Sequence, residues 1–215
     1  MGRSQSFDTT TVVQSARDVF WDQGLDGASL PDLERATGLN RSSLYHAFGS
    51  KRGLFDAAVE DYLDTVIRPR LRPLVTAGQA AAGERAAGRP SAASPEAGRA
   101  VVTYFERLGS AVEQLPAGSP RLGCLLVGCA TGAAGHDEAL RAAVDAYRAE
   151  LTDALAGALR AADPALADGA VEQRARLLLS LQLSALALAR VNQDEAVAML
   201  RAARDQAAEW VPRDA

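Results

Sequence analysis

The chain has 215 residues, enough to bury the core of one sizeable domain or two small ones. Its formal net charge of −4 excludes a protein that coats nucleic acid over its whole surface, so any basic patch must be local. The two cysteines, Cys124 and Cys129, do not form a disulfide framework, and the longest uncharged runs are too short for a membrane span, which together favour a cytoplasmic protein.

Helical signals dominate the sequence. Alternating β-branched runs are nearly absent, while apolar residues recur at spacings of three and four in a background of Ala, Leu, Arg and Glu. We predict an all-α fold of about nine helices: one from Thr10 to Gln23, two very short ones, a longer one from Lys51 to about Arg68, and five more. The low-complexity stretch from Thr76 to Pro95 lacks large apolar side chains and is predicted to be a mobile loop.

The two short helices are predicted to form a pair joined by a glycine turn. Ser29 followed by Asp32 has the form of a capping box, and Gly38 is placed to end the first helix in a left-handed conformation. Asn40 caps the second helix. The predicted inward positions of this helix are Leu44, Ala47 and Phe48. Its predicted outward positions, which include no acid, are Arg41, Ser42, Ser43, Tyr45 and His46. Such a pair is typical of a helix-turn-helix, whose second helix meets base edges in the DNA major groove.

The charge pattern around this pair agrees with DNA binding. From Arg35 to Phe55 the chain carries basic residues and no Asp or Glu. Lys51 and Arg52 lie in the first turn of a helix, where the helix dipole disfavours cations by about 0.3–1 kcal/mol. A bound DNA phosphate reverses that penalty, because exposed N–H groups and both cations converge on it. Each residue alone is also consistent with an ordinary solvated side chain, but the acid-free face as a whole indicates DNA contact.

The stretch from Thr9 to Val59 resembles the DNA-binding domain of tetracycline-repressor-type transcriptional regulators. The motif positions that carry the resemblance are Phe20, Gly24, Asp32, Leu33, Gly38, Leu39, Leu44, Tyr45, His46, Ala47, Phe48, Gly49, Ser50 and Lys51. Glu34 stands where a small alanine is usual, and Gly53 where a good helix former is usual. The resemblance implies a helix-turn-helix domain over residues 1–55 and a ligand-binding and dimerisation domain over residues 56–215.

The resemblance also implies roles for the residues of the pair. Tyr45 and Lys51 are expected to contact phosphates. The residues expected nearest the bases are Arg41, Ser42, Ser43 and His46, while Ser29 and Arg52 complete the predicted DNA contacts. The implied function is that of a repressor without a cofactor, which binds double-stranded DNA at a palindromic operator as a homodimer and is released by a small-molecule effector.

The last two helices are predicted to form the dimer interface. The stretch from Val171 to Val191 is apolar almost all round after Arg176, so that helix must be covered on both sides. Small and apolar residues on the two helices fit a four-helix interface with a second copy. These residues are Ser180, Ser184, Ala187, Val191, Ala196, Leu200, Ala203, Ala207 and Trp210. The same pattern also fits a core within one chain.

A ligand pocket is predicted inside the second domain. Its apolar and aromatic walls are expected to come from Tyr62, Tyr104, Phe105, Leu108, Leu126, Tyr147 and Leu151, with polar contacts from Cys124, Thr131 and His136. Each of these residues is also consistent with plain core. A soft-metal or oxidant-sensing role for Cys124 and Cys129 is less favoured, because a five-residue offset does not place both thiols on one helix face. No metal site is predicted.

Two rival classes remain. A helical-bundle enzyme would need a nucleophile or an acid–base pair, yet beyond the helix-turn-helix only His136 remains and no catalytic motif accompanies it. A DNA-binding protein without an effector would not need a C-terminal domain of this size. We therefore predict a non-enzymatic, ligand-responsive regulator.

Overall fold

The computed structural model describes residues 7–87, 92–130, 132 and 135–211. All the regular secondary structure in these ranges is helical, which confirms the predicted all-α fold. The helices are α1 (Thr9–Gly27), α2 (Leu30–Thr37), α3 (Arg41–Phe48), α4 (Lys51–Tyr62), α5 (Arg68–Ala86), α6 (Pro95–Glu113), α7 (Leu125–Ala130), α8 (Glu138–Ala162), α9 (Asp168–Leu188) and α10 (Gln193–Trp210). A π-helical turn over Leu63–Ile67 joins α4 to α5 without a break. Counted with α4 and α5 as one continuous helix, the described ranges contain nine helices. None of the described helices is long and apolar enough to cross a membrane.

The N-terminal helices pack around α1. Asp8 caps α1 by accepting a hydrogen bond from the Thr10 N–H at 3.1 Å, and Gly24 breaks its last turns with a φ of 70°. Phe20 of α1 meets Phe55 of α4 edge to face, with ring centroids 5.1 Å apart. These contacts bury the apolar face of α4 against α1. They fix α4, which leads from α3 to α5, on the N-terminal helices.

The predicted mobile loop over Thr76–Pro95 is wrong in its first half, because α5 remains helical to Ala86. Ala-rich sequence has a high helix propensity, and small residues here pack closely on α8. A Cβ at Gly78 would lie only 3.0 Å from the Gly157 carbonyl carbon, so the two backbones meet at a pair of glycines. Residues 88–91 lie outside the described part of the chain.

Arg190 joins the end of α9 to the N-terminal helices. Its guanidinium donates hydrogen bonds to the carbonyl oxygens of Trp21 at 2.6 Å and Pro120 at 2.7 Å. It also donates to the Leu122 carbonyl at 3.0 Å and forms a 2.9 Å ion pair with Asp22. A single side chain therefore connects α1, the segment before α7, and α9.

Candidate nucleic-acid interface and ligand groove

The helix pair α2–α3 is built by local hydrogen bonds. The Ser29 hydroxyl accepts the Asp32 N–H at 3.2 Å, and Gly38 ends α2 in the left-handed region with a φ of 70°. The Asn40 side chain then accepts the Ser43 N–H at 2.9 Å and starts α3. These caps confirm the predicted starts of both helices and the glycine turn between them.

Glu34 adds a link between the two helices that the sequence motif did not predict. Its carboxylate accepts a hydrogen bond from the Arg41 backbone N–H, across the turn. A carboxylate at a helix N-terminus is favoured by the helix dipole, and it satisfies an N–H that has no partner within the helix. Glu34 therefore fixes the start of α3 against α2, where the usual alanine has no such group.

Gly53 is required by the junction of α3 and α4. A Cβ at this position would collide with the carbonyl oxygen of Phe48, in the last turn of α3. Ser50 caps α4 from the other side by accepting the Gly53 N–H at 3.0 Å. The glycine thus lets α4 begin directly against the end of α3.

The outer face of α3 carries the predicted DNA-contacting side chains. Arg41, Ser42 and His46 are exposed, while Ser43 and Tyr45 are half-buried. The Arg41 guanidinium lies over the Tyr45 ring, 5.1 Å from its centroid, in a cation–π contact. Leu44 is buried as predicted, but Ala47, which was predicted to face inward, is exposed because α2 and α4 do not cover that side of the helix.

Lys51 and Arg52 have different surroundings, although they are neighbours. Lys51 is half-buried and has no carboxylate partner among the described residues. Arg52 instead forms a 2.6 Å ion pair with Asp56 and a second ion pair with Asp137, just before α8. The predicted phosphate role therefore fits Lys51 better than Arg52, whose charge is balanced within the chain.

Most of the predicted pocket residues form solid core. Tyr62, Tyr147 and Leu151 are almost fully buried, as are Phe105 and Leu126. The Tyr62 hydroxyl lies 3.3 Å from the Cys124 sulfur, which lies 3.5 Å from the Tyr147 hydroxyl. Burial raises the pKa of both tyrosines, so their hydroxyls stay protonated and hydrogen-bonded to the sulfur. The predicted cavity at these residues is filled by their own side chains.

The other predicted polar pocket residues do not join this cluster. His136 is exposed near the start of α8, and Thr131 lies outside the described residues. Both cysteines are buried free thiols, and burial raises the pKa of Cys129 to about 11. No group of three or more metal-ligating side chains occurs in the described ranges.

A groove between α5 and α6, next to the predicted pocket residues, has a volume of about 650 Å³. Tyr104 and Leu108, two of the predicted pocket residues, line it. Its other apolar lining comes from Val66, Pro69, Pro73 and Ala100. Tyr104 is held by a 3.0 Å hydrogen bond from its hydroxyl to the buried Gln182 side chain.

The sequence prediction missed the charged lining of the groove, which is formed by Arg70, Arg99 and Arg107. Two of these lie on α6 with Thr103 between them, at intervals of four residues, which places all three on one helix face. This spacing was readable in the sequence. The position of Arg70 opposite them was not, because it depends on how α5 packs against α6.

The predicted dimer residues divide into two groups. On α9 and the turn after it, Ser180, Ser184, Ala187 and Val191 are exposed, as are the larger Leu177 and Leu188. On α10, Ala196, Leu200, Ala203 and Ala207 are fully buried within the chain, where α10 packs on α6 and α9, so these four side chains present no free surface to a second copy. Trp210 is half-buried with the Arg174 guanidinium 5.0 Å from its ring centroid.

Similarity to known proteins agrees with the helix-turn-helix. The family model for Bacterial regulatory proteins, tetR family, matches residues 12–58. The uncharacterized HTH-type transcriptional regulator YezE of Bacillus subtilis (strain 168) is 32% identical over 201 residues, which cover 90% of this chain and 92% of YezE. The HTH-type transcriptional repressor ComR of Escherichia coli (strain K12) is 40% identical over 63 residues, which are 29% of this chain and 30% of ComR.

Solved structures share the fold. A cysteine mutant of the TetR family transcriptional regulator CifR, complexed with 26 bp double-strand operator DNA, matches 94% of this chain and 98% of its own, with a TM-score of 0.71 and 29% identity. The reduced form of E. coli NemR matches 95% of this chain and 97% of its own, with a TM-score of 0.73; at 20% identity it shows the fold alone. The family model and the identity with YezE across most of both chains establish that this protein belongs to the tetR family of bacterial regulatory proteins and is a DNA-binding transcriptional regulator.

Proposed function

We propose that the protein is a cytoplasmic repressor that binds a palindromic operator as a homodimer. A small-molecule effector releases it from the DNA. The exposed, acid-free face of α3 is the observation that carries this proposal. The relative ComR is named as a repressor, and the solved CifR structure is a complex with operator DNA, which supports the same role here.

In the proposed complex, α3 lies in the major groove. Arg41 is the outward side chain of α3 that can make a bidentate contact to guanine, and its stacking on Tyr45 limits its rotamers before DNA binds. Ser42, Ser43 and His46 lie nearby and read bases less selectively. Tyr45 and Lys51 contact phosphates, and Ser29 at the start of α2 lies among the DNA-contacting residues. We keep residues 1–55 as the DNA-binding unit and residues 56–215 as the unit that binds the effector and the second copy.

In the proposed dimer, the exposed side of α9 meets its counterpart in a second copy. Leu177 is 49% exposed, Leu188 is 38% exposed, and Val191 is 83% exposed, although large apolar side chains are normally buried. Ser180, Ser184 and Ala187 lie among them and allow close helix approach. A two-fold dimer presents two equivalent recognition helices, so the operator is expected to be a near-palindrome.

The groove between α5 and α6 is the proposed effector site. The helix that lines it continues through the π-helical turn into α4, whose first turn carries Lys51. A ligand that shifts α5 therefore also moves α4, whose first turn lies at the proposed DNA-binding face. This connection gives a physical route by which effector binding changes operator affinity.

Selection of bound sites from a random DNA pool tests the proposal. The expected result is a near-palindromic consensus sequence that the protein binds at nanomolar concentration. Its affinity for this DNA should fall as the salt concentration rises. A nonpalindromic consensus would contradict the symmetric dimer, and the absence of any enriched sequence would contradict operator recognition. Screening small molecules for release of the selected DNA then separates an effector-controlled repressor from a DNA-binding protein without an effector.

A further inference from the structure

We infer that the groove between α5 and α6 binds a small amphipathic organic anion, with a carboxylate or phosphate head on an apolar body. The inference deepens the proposed function by naming the chemical class of the effector. It rests on that function only for the regulatory consequence of binding, since the binding itself follows from the chemistry of the groove.

The charged side chains among the described residues that line the groove are all basic. Arg70 comes from α5, and Arg99 and Arg107 come from α6, whereas no Asp or Glu lies among the described residues that line the groove. This local excess opposes the balance of the whole chain, which has 27 acidic residues against 23 Lys and Arg. Arg70 and Arg107 line the same cavity, so an anion in the groove is attracted by both guanidinium groups.

Two of these arginines lack an ion-pair partner in the part of the chain that the structure describes. Arg70 and Arg107 make no ion pair with any described carboxylate, whereas the neighbouring Arg68 pairs with both Asp64 and Glu150. The contrast on one helix shows that carboxylates are within reach of α5 but not on the side that faces the groove. The guanidinium donors of Arg70 and Arg107 are therefore available to an external carboxylate or phosphate, which they can bind in bidentate fashion.

The floor of the groove is apolar. Val66, Pro69 and Leu108 contribute aliphatic surface, and the Tyr104 ring adds an aromatic wall. Burial raises the pKa of Tyr104, so its hydroxyl stays protonated and hydrogen-bonded to Gln182. A bare inorganic anion would leave this surface in water, so the complementary ligand carries an apolar body next to its charged head.

The volume sets the size of the ligand. About 650 Å³ lies within the range of roughly 300–1,000 Å³ typical of sites for small organic ligands. The hydroxyl of Thr103, which lies between Arg99 and Arg107 on α6, offers a further hydrogen bond to a head group. A macromolecule is not needed to fill such a site.

Isothermal titration calorimetry with the full-length protein tests the inference by using four probes that share one apolar chain: octanoate, octyl phosphate, octanol and octylammonium. At least one of the two anions is expected to bind about tenfold or more tightly than octanol, and octylammonium more weakly than octanol. The anion that binds more tightly shows whether the groove prefers a carboxylate or a phosphate head group. Equal binding of octanol and both anions, or no binding of either anion in the millimolar range, would overturn the inference.

Variants locate the site. Arg70→Gln and Arg107→Gln are each expected to weaken binding of the preferred anion by about tenfold, because each removes a charge-assisted contact. Arg72→Gln is the matched control, since Arg72 is exposed on the same helix and does not line the groove. An equal loss of anion affinity in Arg72→Gln and Arg70→Gln would show that binding depends on the general surface charge, and would overturn the assignment. Unchanged anion affinity in both groove variants would overturn it as well.

Operator release is measured separately on the same samples. Anion binding that depends on Arg70 and Arg107 establishes the site even if the operator stays bound, and that result would contradict the effector part of the proposed function alone. Release of the operator by an anion that still binds Arg70→Gln and Arg107→Gln with unchanged affinity would overturn the inference and leave the proposed repressor standing.

Discussion

Arg52 and Asp137 join the start of α4 to the start of α8. One Asp137 oxygen accepts the Leu140 N–H at 2.8 Å and caps α8, while the other forms the ion pair with Arg52. The two residues are 85 positions apart in the sequence. A carboxylate that begins a helix of the C-terminal domain thus also holds the first turn of α4, next to the proposed DNA-binding face.

This relationship predicts different effects for two neighbouring cations. Lys51→Gln is expected to weaken binding to all DNA sequences about equally and to lower the slope of log K against log salt by about one per half-site. Arg52→Gln is expected to leave that slope nearly unchanged, because its charge is already balanced by Asp56 and Asp137. Fluorescence anisotropy at several salt concentrations measures both slopes. Equal slope changes in the two variants would contradict the distinction.

Arg41→Ala is expected to relax base preference at one symmetric pair of operator positions. A bidentate arginine–guanine contact contributes about 1–3 kcal/mol of discrimination, whereas a serine hydroxyl bonds several bases. Ser42→Ala, at the next exposed position of α3, is the control and should change the consensus less. Site selection with all three proteins measures the preference. An unchanged consensus with uniformly weaker binding would assign Arg41 to a phosphate instead.

Gly53→Ala is expected to destabilise the DNA-binding helices by about 1–3 kcal/mol, because its Cβ meets the Phe48 carbonyl oxygen and forces the α3–α4 junction apart. Gly83→Ala in α5 is the matched control. No atom lies within 4 Å of a Cβ built there, so the gain in helix propensity should leave stability unchanged or raise it by up to about 1 kcal/mol. Chemical denaturation measures both changes. A fully stable Gly53→Ala variant would show that the junction relaxes without cost.

Two leucines on adjacent helices separate dimerisation from folding. Leu177→Glu on the exposed side of α9 is expected to yield a folded monomer with weak operator binding, since it places charge in the proposed interface. Leu200→Ala is expected to lower the free energy of unfolding by about 2–5 kcal/mol, because Leu200 of α10 is fully buried by other helices of its own chain. Light scattering and denaturation distinguish these results. A Leu177→Glu protein that remained dimeric would place the interface elsewhere.

Stability should fall at alkaline pH. Burial raises the pKa of Tyr62, Tyr104 and Tyr147 in the folded chain, so the unfolded chain releases these protons first. Their contribution is therefore fully present below about pH 10 and is lost as the pH rises further. Tyr104→Phe should make this alkaline decline shallower, while it lowers stability at neutral pH by about 1 kcal/mol through the lost bond to Gln182. Urea denaturation from pH 7 to about 11 checks both effects, and an unaltered alkaline slope would contradict the assignment.

The sequence by itself determined the helix-turn-helix. Ser29, Gly38 and Asn40 act on N–H groups and dihedral angles within a few residues of themselves, so their roles follow from local chemistry. Such signals do not depend on the packing of distant segments. The family resemblance and the acid-free face of α3 were therefore readable before any tertiary structure.

Only the tertiary structure decided which surfaces are free. The periodicity of α10 predicted an apolar stripe but not what covers it, and Leu200 is covered by its own chain. The partner of Arg52 and the position of Arg70 opposite Arg107 likewise depend on contacts between helices that are far apart in the sequence. A helix pattern specifies a side that must be buried, whereas the packing of the other helices determines which neighbour buries it and where a groove remains.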